Sequence, residues 1–326
     1  RNMSEFIGQV SRGINNIFTV LHESGSYQCR IWGKQLKEIS GEYNPIAVGD
    51  YVRFSVTGTG EGMISERLER RSTFTRWNAK GSVNQTVVAN MDLVVCISSC
   101  DNPPFRPRFI DRVIACCDNV PVMIVLNKSD LGLSKFEKER FKLYRDLGWE
   151  TIEVSALKNK NLKKLNKALI GKTVAFVGQS GVGKSTLINE LLGSDQRTAE
   201  VCEKYNRGRH TTNHSLLLEG PEYRLVDTPG VREIMVPHTD KQQLVKAFPE
   251  FEEYRGRCAF DPCFHEEEPD CMVRAAAIEG KIDEDRYESY LRMIASLDEK
   301  GPEWLGKSEA TQEWRSRIES DEHKEY

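Results

Sequence analysis

The stretch MIVLNKSD, residues 123–130, decides how the rest of the chain is read. An apolar run ends there in Asn127-Lys128-Ser129-Asp130. At the end of a buried strand such a loop recognises guanine. Asp130 would accept from the ring N1–H and the 2-amino group, Asn127 would add a polar contact, and the Lys128 stem would pack along the base. Adenine offers neither donor, so ATP would leave the carboxylate unpaired. Standing alone, the same four residues would more readily be an Asn/Asp turn with Asp130 capping a helix. A second candidate guanine loop, Ser155-Ala156-Leu157, follows the strand-like TIEV about two dozen residues on.

The loop that should precede these motifs comes after them. GQSGVGKST, residues 178–186, has the full Gly-x-x-x-x-Gly-Lys-Ser spacing between the strand-like KTVAFV and the helix-like TLINELL. That context lets backbone N–H groups and a helix N-terminus surround phosphates. The candidate binding set is Gly178, Gln179, Ser180, Gly181, Val182, Gly183, Lys184, Ser185 and Thr186. Lys184 would neutralise β/γ-phosphate charge, and the Ser185 hydroxyl would hold Mg²⁺. In DTPG, residues 227–230, Asp227 would hold Mg²⁺ through water and the Gly230 N–H would meet the γ-phosphate. Between these motifs, Thr211 or Thr212 would close over Mg²⁺ and the γ-phosphate as a switch loop, with Thr212 taken into the candidate set.

Many enzymes of this class orient the attacking water with a Gln directly after Asp-x-x-Gly. Here that position is Val231, which cannot. His210 in GRHTT is the candidate for positioning water, with Arg209 or Arg207 stabilising charge; a solvated switch-loop histidine is the competing reading.

The four loops therefore occur in permuted order. A domain whose termini lie close tolerates this, because the loops keep their places around the sheet. The segment after DTPG then leads directly into the C-terminal region, so nucleotide state is expected to reposition that region.

That region carries Cys258, Cys263, His265 and Cys271 in a C-x4-C-x-H-x5-C pattern. Three thiolates and an imidazole satisfy a closed tetrahedral Zn²⁺ site, which is structural because no position remains open. A carboxylate from Glu266 to Glu268 could stand in for His265, although imidazole suits the ion better.

The rest of the chain sets the frame. Its 326 residues allow two or three domains, and 39% hydrophobic with 29% charged content describes an ordinary globular protein. A net charge of -3 gives no global pull towards nucleic acid or membrane, and no apolar run reaches the roughly 20 residues that span a bilayer. Nine cysteines without an export signal suggest thiols in a reducing cytoplasm, with Cys96, Cys116 and Cys117 as small core residues. The region 1–72 alternates like short strands and suits a small closed barrel of OB-fold type. Its first 75 residues hold 9 Lys/Arg against 8 Asp/Glu, so it is no basic patch; Phe18, Tyr27 and Trp32 either stack on bases or fill the core. Polar residues 70–85, with Arg70, Arg71, Arg76 and Lys80, look like a linker carrying phosphate contacts. Residues 73–240 hold strand–helix alternation with apolar strands, the pattern of a parallel sheet covered on both faces. An α-rich module fills 241–326, ending in a solvated tail.

A barrel, a permuted GTP-binding domain and a zinc module together resemble the RsgA family of bacterial ribosome small-subunit-dependent GTPases. The resemblance rests on NKSD, GQSGVGKST, GRHTT, DTPGVRE and the Cys/His cluster, and covers nearly the whole chain. It implies GTP hydrolysis coupled to late 30S maturation, contacts to 16S rRNA, zinc on the four named positions, and slow turnover accelerated by the 30S particle. A cytoplasmic monomer is expected. The alternatives are an RNA-binding scaffold that senses GTP and GDP with little turnover, and an ATP-dependent enzyme, which NKSD opposes.

Overall fold

The computed structural model describes residues 4–33, 36, 44–79, 82–193 and 214–300, with the backbone alone for 299 and 300. Five strands, β1 (Glu5–Ile14), β2 (Ile17–His22), β3 (Gly25–Ile31), β4 (Tyr51–Gly58) and β5 (Glu61–Arg67), close into a barrel of order β1-β2-β3-β5-β4. Alternation does the work: Val52 and Phe54 point inward while Arg53 faces Glu66 outside. Val10, Phe18, Val20, Cys29 and Ile64 complete the core, and closure leaves no sheet edge to protect. Phe18 is therefore a core residue, Tyr27 is half-buried, and Trp32 stands 63% exposed.

The expected linker is not one. Residues 73–78 and 83–89 form an antiparallel hairpin, β6 (Thr73–Asn78) and β7 (Val83–Ala89), joined at its outer side by the short β9 (Cys117–Asp118). Its polarity misleads because most of the hairpin is only half-buried, so its strands carry few apolar residues. It is bound firmly to the barrel. The buried Asp50 carboxylate accepts from Arg70 Nε and Nη2, both at 2.8 Å, and Val48 bridges Val88. Gly49 (φ +92°) makes this approach feasible, since a Cβ there would lie 2.0 Å from the Ala89 carbonyl oxygen. Arg70 and Arg71 are thus occupied structurally, Arg71 with Asp92 and the Asn90 carbonyl, and Lys80 lies outside the described residues.

The central sheet has the order β11-β10-β8-β12-β14-β13. Its strands are β8 (Leu93–Ser99), β10 (Val122–Asn127), β11 (Glu150–Glu153), β12 (Thr173–Gly178), β13 (Leu216–Glu219) and β14 (Arg224–Asp227). Five run parallel, and β13 is antiparallel to β14, an edge strand the alternation did not reveal because it is four residues long and joined by a tight turn. Helices α1 (Pro107–Cys116), α2 (Lys135–Asp146), α3 (Leu162–Leu169) and α4 (Lys184–Leu192) divide between the two faces, giving two separate apolar layers. Ser134 starts α2 with a capping box: its hydroxyl accepts from the Glu137 N–H and the Glu137 carboxylate accepts from its own.

After Asp240 the described chain forms a helix Lys241–Val245, a 3₁₀ turn Pro249–Tyr254, and helices Met272–Ile278 and Glu284–Lys300. The first of these helices ends at Val245, and Pro249, whose ring cannot continue a helix, opens the 3₁₀ turn. This module sits on α1 and α2 through a fully buried guanidinium. Arg286 donates to Asp111 at 2.7 Å and to both Glu250 oxygens at 2.7 and 2.9 Å, beneath Phe248 and Trp149. Tyr144 closes the network by donating to Asp111 at 2.6 Å. Two carboxylates around one buried cation hold its proton firmly, against the opposing cost of desolvation. Among the described residues no helix is long and apolar enough to cross a membrane.

Candidate functional site

The two guanine loops, the phosphate loop and DTPG emerge at one end of the sheet, where parallel strands deliver their C-terminal ends. Asn127 closes β10 and stitches three of them together. Its Nδ2 donates to the Val182 carbonyl at 2.9 Å, and its Oδ1 accepts from the Ala156 N–H at 3.1 Å. A side chain at Gly183 (φ +87°) would put its Cβ 2.4 Å from that Nδ2, so only glycine permits the stitch.

Lys128 sits in the left-handed region, φ 60°, and its ammonium reaches the carbonyls of Gly181 at 2.9 Å and Asn102 at 2.5 Å. Its charge joins a backbone oxygen of the phosphate loop to one of the loop 100–104, a role the sequence did not indicate. Ser129 is buried, with its N–H donating to the Val154 carbonyl at 3.0 Å. Asp130 is exposed, and a hydrogen bond from Ser155 holds its carboxyl below the usual carboxylate range. Ser155 also accepts from the Lys158 N–H, shaping the second loop. Leu157 is 77% exposed at the rim.

The phosphate loop runs from β12 into α4, as its spacing requires. Gln179, Ser180, Gly181, Gly183, Lys184, Ser185 and Thr186 line a cavity of about 500 Å³ with Asp227, Thr228, Pro229 and Gly230. Gly178 and Val182 lie beneath it, buried against Ile97. The Lys184 ammonium of this loop pairs with the Asp227 carboxylate, so the two charges neutralise one another in this conformation. Gly230 packs on the loop itself, where an added Cβ would come 3.3 Å from Ser180 Cα. The chain after DTPG is fastened to the same loop: the Ser180 N–H donates to the Val231 carbonyl at 3.1 Å, and Gln179 Nε2 to the Arg232 carbonyl at 3.2 Å.

Val231 lines a second cavity of about 110 Å³ behind DTPG, between the barrel and the β6–β7 hairpin, and does not line the phosphate cavity. His214, which the sequence reading passed over, lines both cavities. The signal was the second histidine of GRHTTNHS. His210, Thr211, Thr212, Arg207 and Arg209 lie outside the described residues.

The second constellation is 258–271. The donor atoms of Cys258, Cys263, His265 and Cys271 all lie within 4.8 Å of one another, with His265 Nδ1 3.4 Å from Cys271 Sγ and 3.8 Å from Cys258 Sγ. Two backbone N–H groups already point at sulfur, Met272 to Cys258 at 3.3 Å and Arg274 to Cys271 at 3.4 Å, as stabilised thiolates require. Of the carboxylates 266–268, Glu267 is exposed and the other two are engaged elsewhere. Glu266 pairs with Lys241 at 2.8 Å, and Glu268 accepts from the Phe264 and Glu266 N–H groups at 2.7 and 2.8 Å. The imidazole completes the candidate set, and these soft, compact donors fit zinc. Burial lowers the proton affinity of His265 and pushes the Cys263 thiol up to about 12, so a bound cation would have to displace protons from sulfur. Tyr287 donates to the His265 carbonyl at 2.8 Å, fixing the loop on the last helix.

Known proteins can now be set beside this geometry. Residues 7–64 match the family model described as RsgA N-terminal domain, and residues 67–237 match that of the RsgA GTPase. Small ribosomal subunit biogenesis GTPase RsgA of Borrelia garinii subsp. bavariensis is 35% identical over 302 residues, covering 91% of this chain and 97% of the relative. The protein of the same name from Chlorobaculum parvum is 40% identical over 286 residues, covering 83% and 91%. The crystal structure of YjeQ from Thermotoga maritima superimposes with a TM-score of 0.67 at 28% identity, over 94% of this chain and 100% of that one. The structure of YloQ, a circularly permuted GTPase, superimposes at 0.65 over 92% and 97%, and at 23% identity it speaks for the fold alone.

Proposed function

The chain belongs to the RsgA family, and on that premise we propose that it is a GTP hydrolase of small-ribosomal-subunit biogenesis, acting on the 30S particle late in its maturation. The observation that carries the reading is the Asn127 stitch. One amide joins the guanine loop, the second guanine loop and the phosphate loop, so base recognition and phosphate binding face one ligand.

In this reading Asp130 accepts from guanine, with Asn127, Lys128, Ser129, Ser155 and Ala156 shaping the base pocket. The phosphate loop, Gly178 to Thr186, surrounds the phosphates. Bound GTP would separate Lys184 from Asp227. Lys184 would turn to the β/γ-phosphates and the Gly230 N–H would meet the γ-phosphate, while Ser185, Thr212 and, through water, Asp227 would hold Mg²⁺. Mg²⁺ supplies charge neutralisation on the phosphate oxygens. With Val231 directed away, His210 positions the water. The Cys258, Cys263, His265, Cys271 set holds structural Zn²⁺.

The partner is the 30S subunit through 16S rRNA, met by a cytoplasmic monomer. Exposed Trp32 on the barrel is the aromatic best placed to stack on a base. The reading is tested by GTP turnover with and without 30S particles, alongside co-sedimentation with GDP or a non-hydrolysable GTP analogue. Turnover stimulated by 30S supports it. Nucleotide-dependent sedimentation without stimulated turnover would favour the sensing scaffold, which Val231 keeps in view.

A further inference from the structure

Neither the guanine loops nor the phosphate loop explains why the β6–β7 hairpin grips the chain beyond DTPG. Trp77 and Asn84 are direct cross-strand partners in that hairpin. The Trp77 N–H donates to the Met235 carbonyl at 2.9 Å. Asn84 does more: its Nδ2 donates to the His238 carbonyl and its Oδ1 accepts from the His238 N–H, both at 2.7 Å. The side-chain amide imitates a strand's peptide group and satisfies both backbone polar groups of one residue. The Trp77 and His238 rings lie 6.3 Å apart over the same contact.

The segment 230–238 is therefore held at both ends. Its start is bonded to the phosphate loop through Ser180 and Gln179, and its end to the hairpin through Trp77 and Asn84. Val231 at the first fastening and Ile234 between the two line the cavity of about 110 Å³, shared with Phe74 and Val87 of the hairpin and Val10 and Phe18 of the barrel. A segment pinned at its ends beside unfilled volume can shift its middle side chains without unseating either anchor. The hairpin is in turn fixed to the barrel by Asp50–Arg70 and the Val48–Val88 bridge.

We propose that Asn84 is a positioning residue for the hydrolytic site: its amide couples the DTPG segment to the β6–β7 hairpin, so that occupancy of the phosphate loop and the state of the barrel set one another. This rests on the reading that the phosphate loop binds GTP.

The test is hydrogen exchange on the full chain loaded with GDP or with a non-hydrolysable GTP analogue, both loadings checked by calorimetry. In the unaltered protein, protection should differ between the two states across 230–238 and also across β6 and β7. In Asn84→Ala the difference at 230–234 should persist while that in β6 and β7 falls at least ~3-fold, with GTP affinity kept. Asn84→Asp, which keeps the acceptor and loses the donor, should fall between. The proposal is overturned if β6 and β7 exchange identically in the two states of the unaltered protein, an arm that needs no variant to fold. It is equally overturned if Asn84→Ala responds like the parent. Failure of the underlying reading looks different: calorimetry would detect no guanine nucleotide binding, and both would fall together.

Discussion

The phosphate end and the cysteine cluster are both built to hold an ion or its ligand, and they are built in opposite ways. At the phosphate end, loops from several strands meet around an open cavity, and the two charges that would face ligand and metal, Lys184 and Asp227, neutralise each other. In the cluster, four donors from a fourteen-residue stretch converge in a largely buried pocket with backbone N–H groups already aimed at sulfur. A site that must release its ligand each cycle keeps an internal substitute for it. A site that never releases its ion has no substitute, and without the ion its thiols must carry protons. With zinc in the cluster as proposed, the two regions would draw their stability from different sources: packing of the sheet in one case, the metal in the other.

The largest expected effect breaks that contrast at the cluster. Chelation, or Cys271→Ala, should unfold the module 258–294 and lower the thermal midpoint sharply, since structural zinc supplies on the order of 10 kcal/mol in small modules. Calorimetry with metal analysis and hydrogen exchange would show it. A module that stays protected without metal would remove the distinction.

Next comes the buried guanidinium that seats the module. Arg286→Met leaves Asp111 and Glu250 facing each other without a cation, and should cost about 3–5 kcal/mol in urea unfolding. A triple change that also removes the two acids should recover much of that. An unaltered midpoint in the single variant would mean the network contributes little.

At the phosphate end the same kind of substitution should leave the fold standing. Lys184→Ala removes one half of a pair that ligand must separate anyway, so the melting curve should move little while GTP binding weakens ~10²-fold or more. If stability drops as far as for Arg286→Met, the pair is structural and the contrast fails. Asp130→Ala should erase the preference for GTP over ATP in competition binding, by ~10²-fold or more.

The smallest effect concerns acidity. The Ser155 bond lowers the Asp130 carboxyl, so its contribution is fully present above the ordinary carboxylate range and is lost only as pH falls through the lowered value. Carbon-13 titration of Asp130 should therefore move upward in Ser155→Ala. An unmoved titration would place the Ser155 hydroxyl elsewhere.

What was legible in the sequence follows from chain distance. NKSD, GQSGVGKST, DTPG and the cysteine set each compress a function into a few contiguous residues, and their order alone revealed the permuted sheet. The barrel was legible through alternation. Arg286 was not, because in DRYESYLRMIASLDEK it looks like any solvent-facing helix residue, and its partners lie 36 and 175 residues away. Asn84 was read as linker polarity because its partner is 154 residues on. Strand β13 was too short to show a period, and Val231 could be read as a missing glutamine but not as part of a seam.

Asn127 also bears on how such a domain could be rebuilt. Its amide reaches loops 29 and 55 residues away, so the ligand-facing end is held by cross-links between loops and not by the order in which the chain visits them. An engineer could cut the domain at a different surface turn and rejoin it elsewhere at the modest cost of closing a new loop. What such a redesign could not keep is the place where the two natural ends leave the sheet, with the hairpin at one and the segment beyond DTPG at the other. The choice of cut is thus a choice of which two appendages stand side by side.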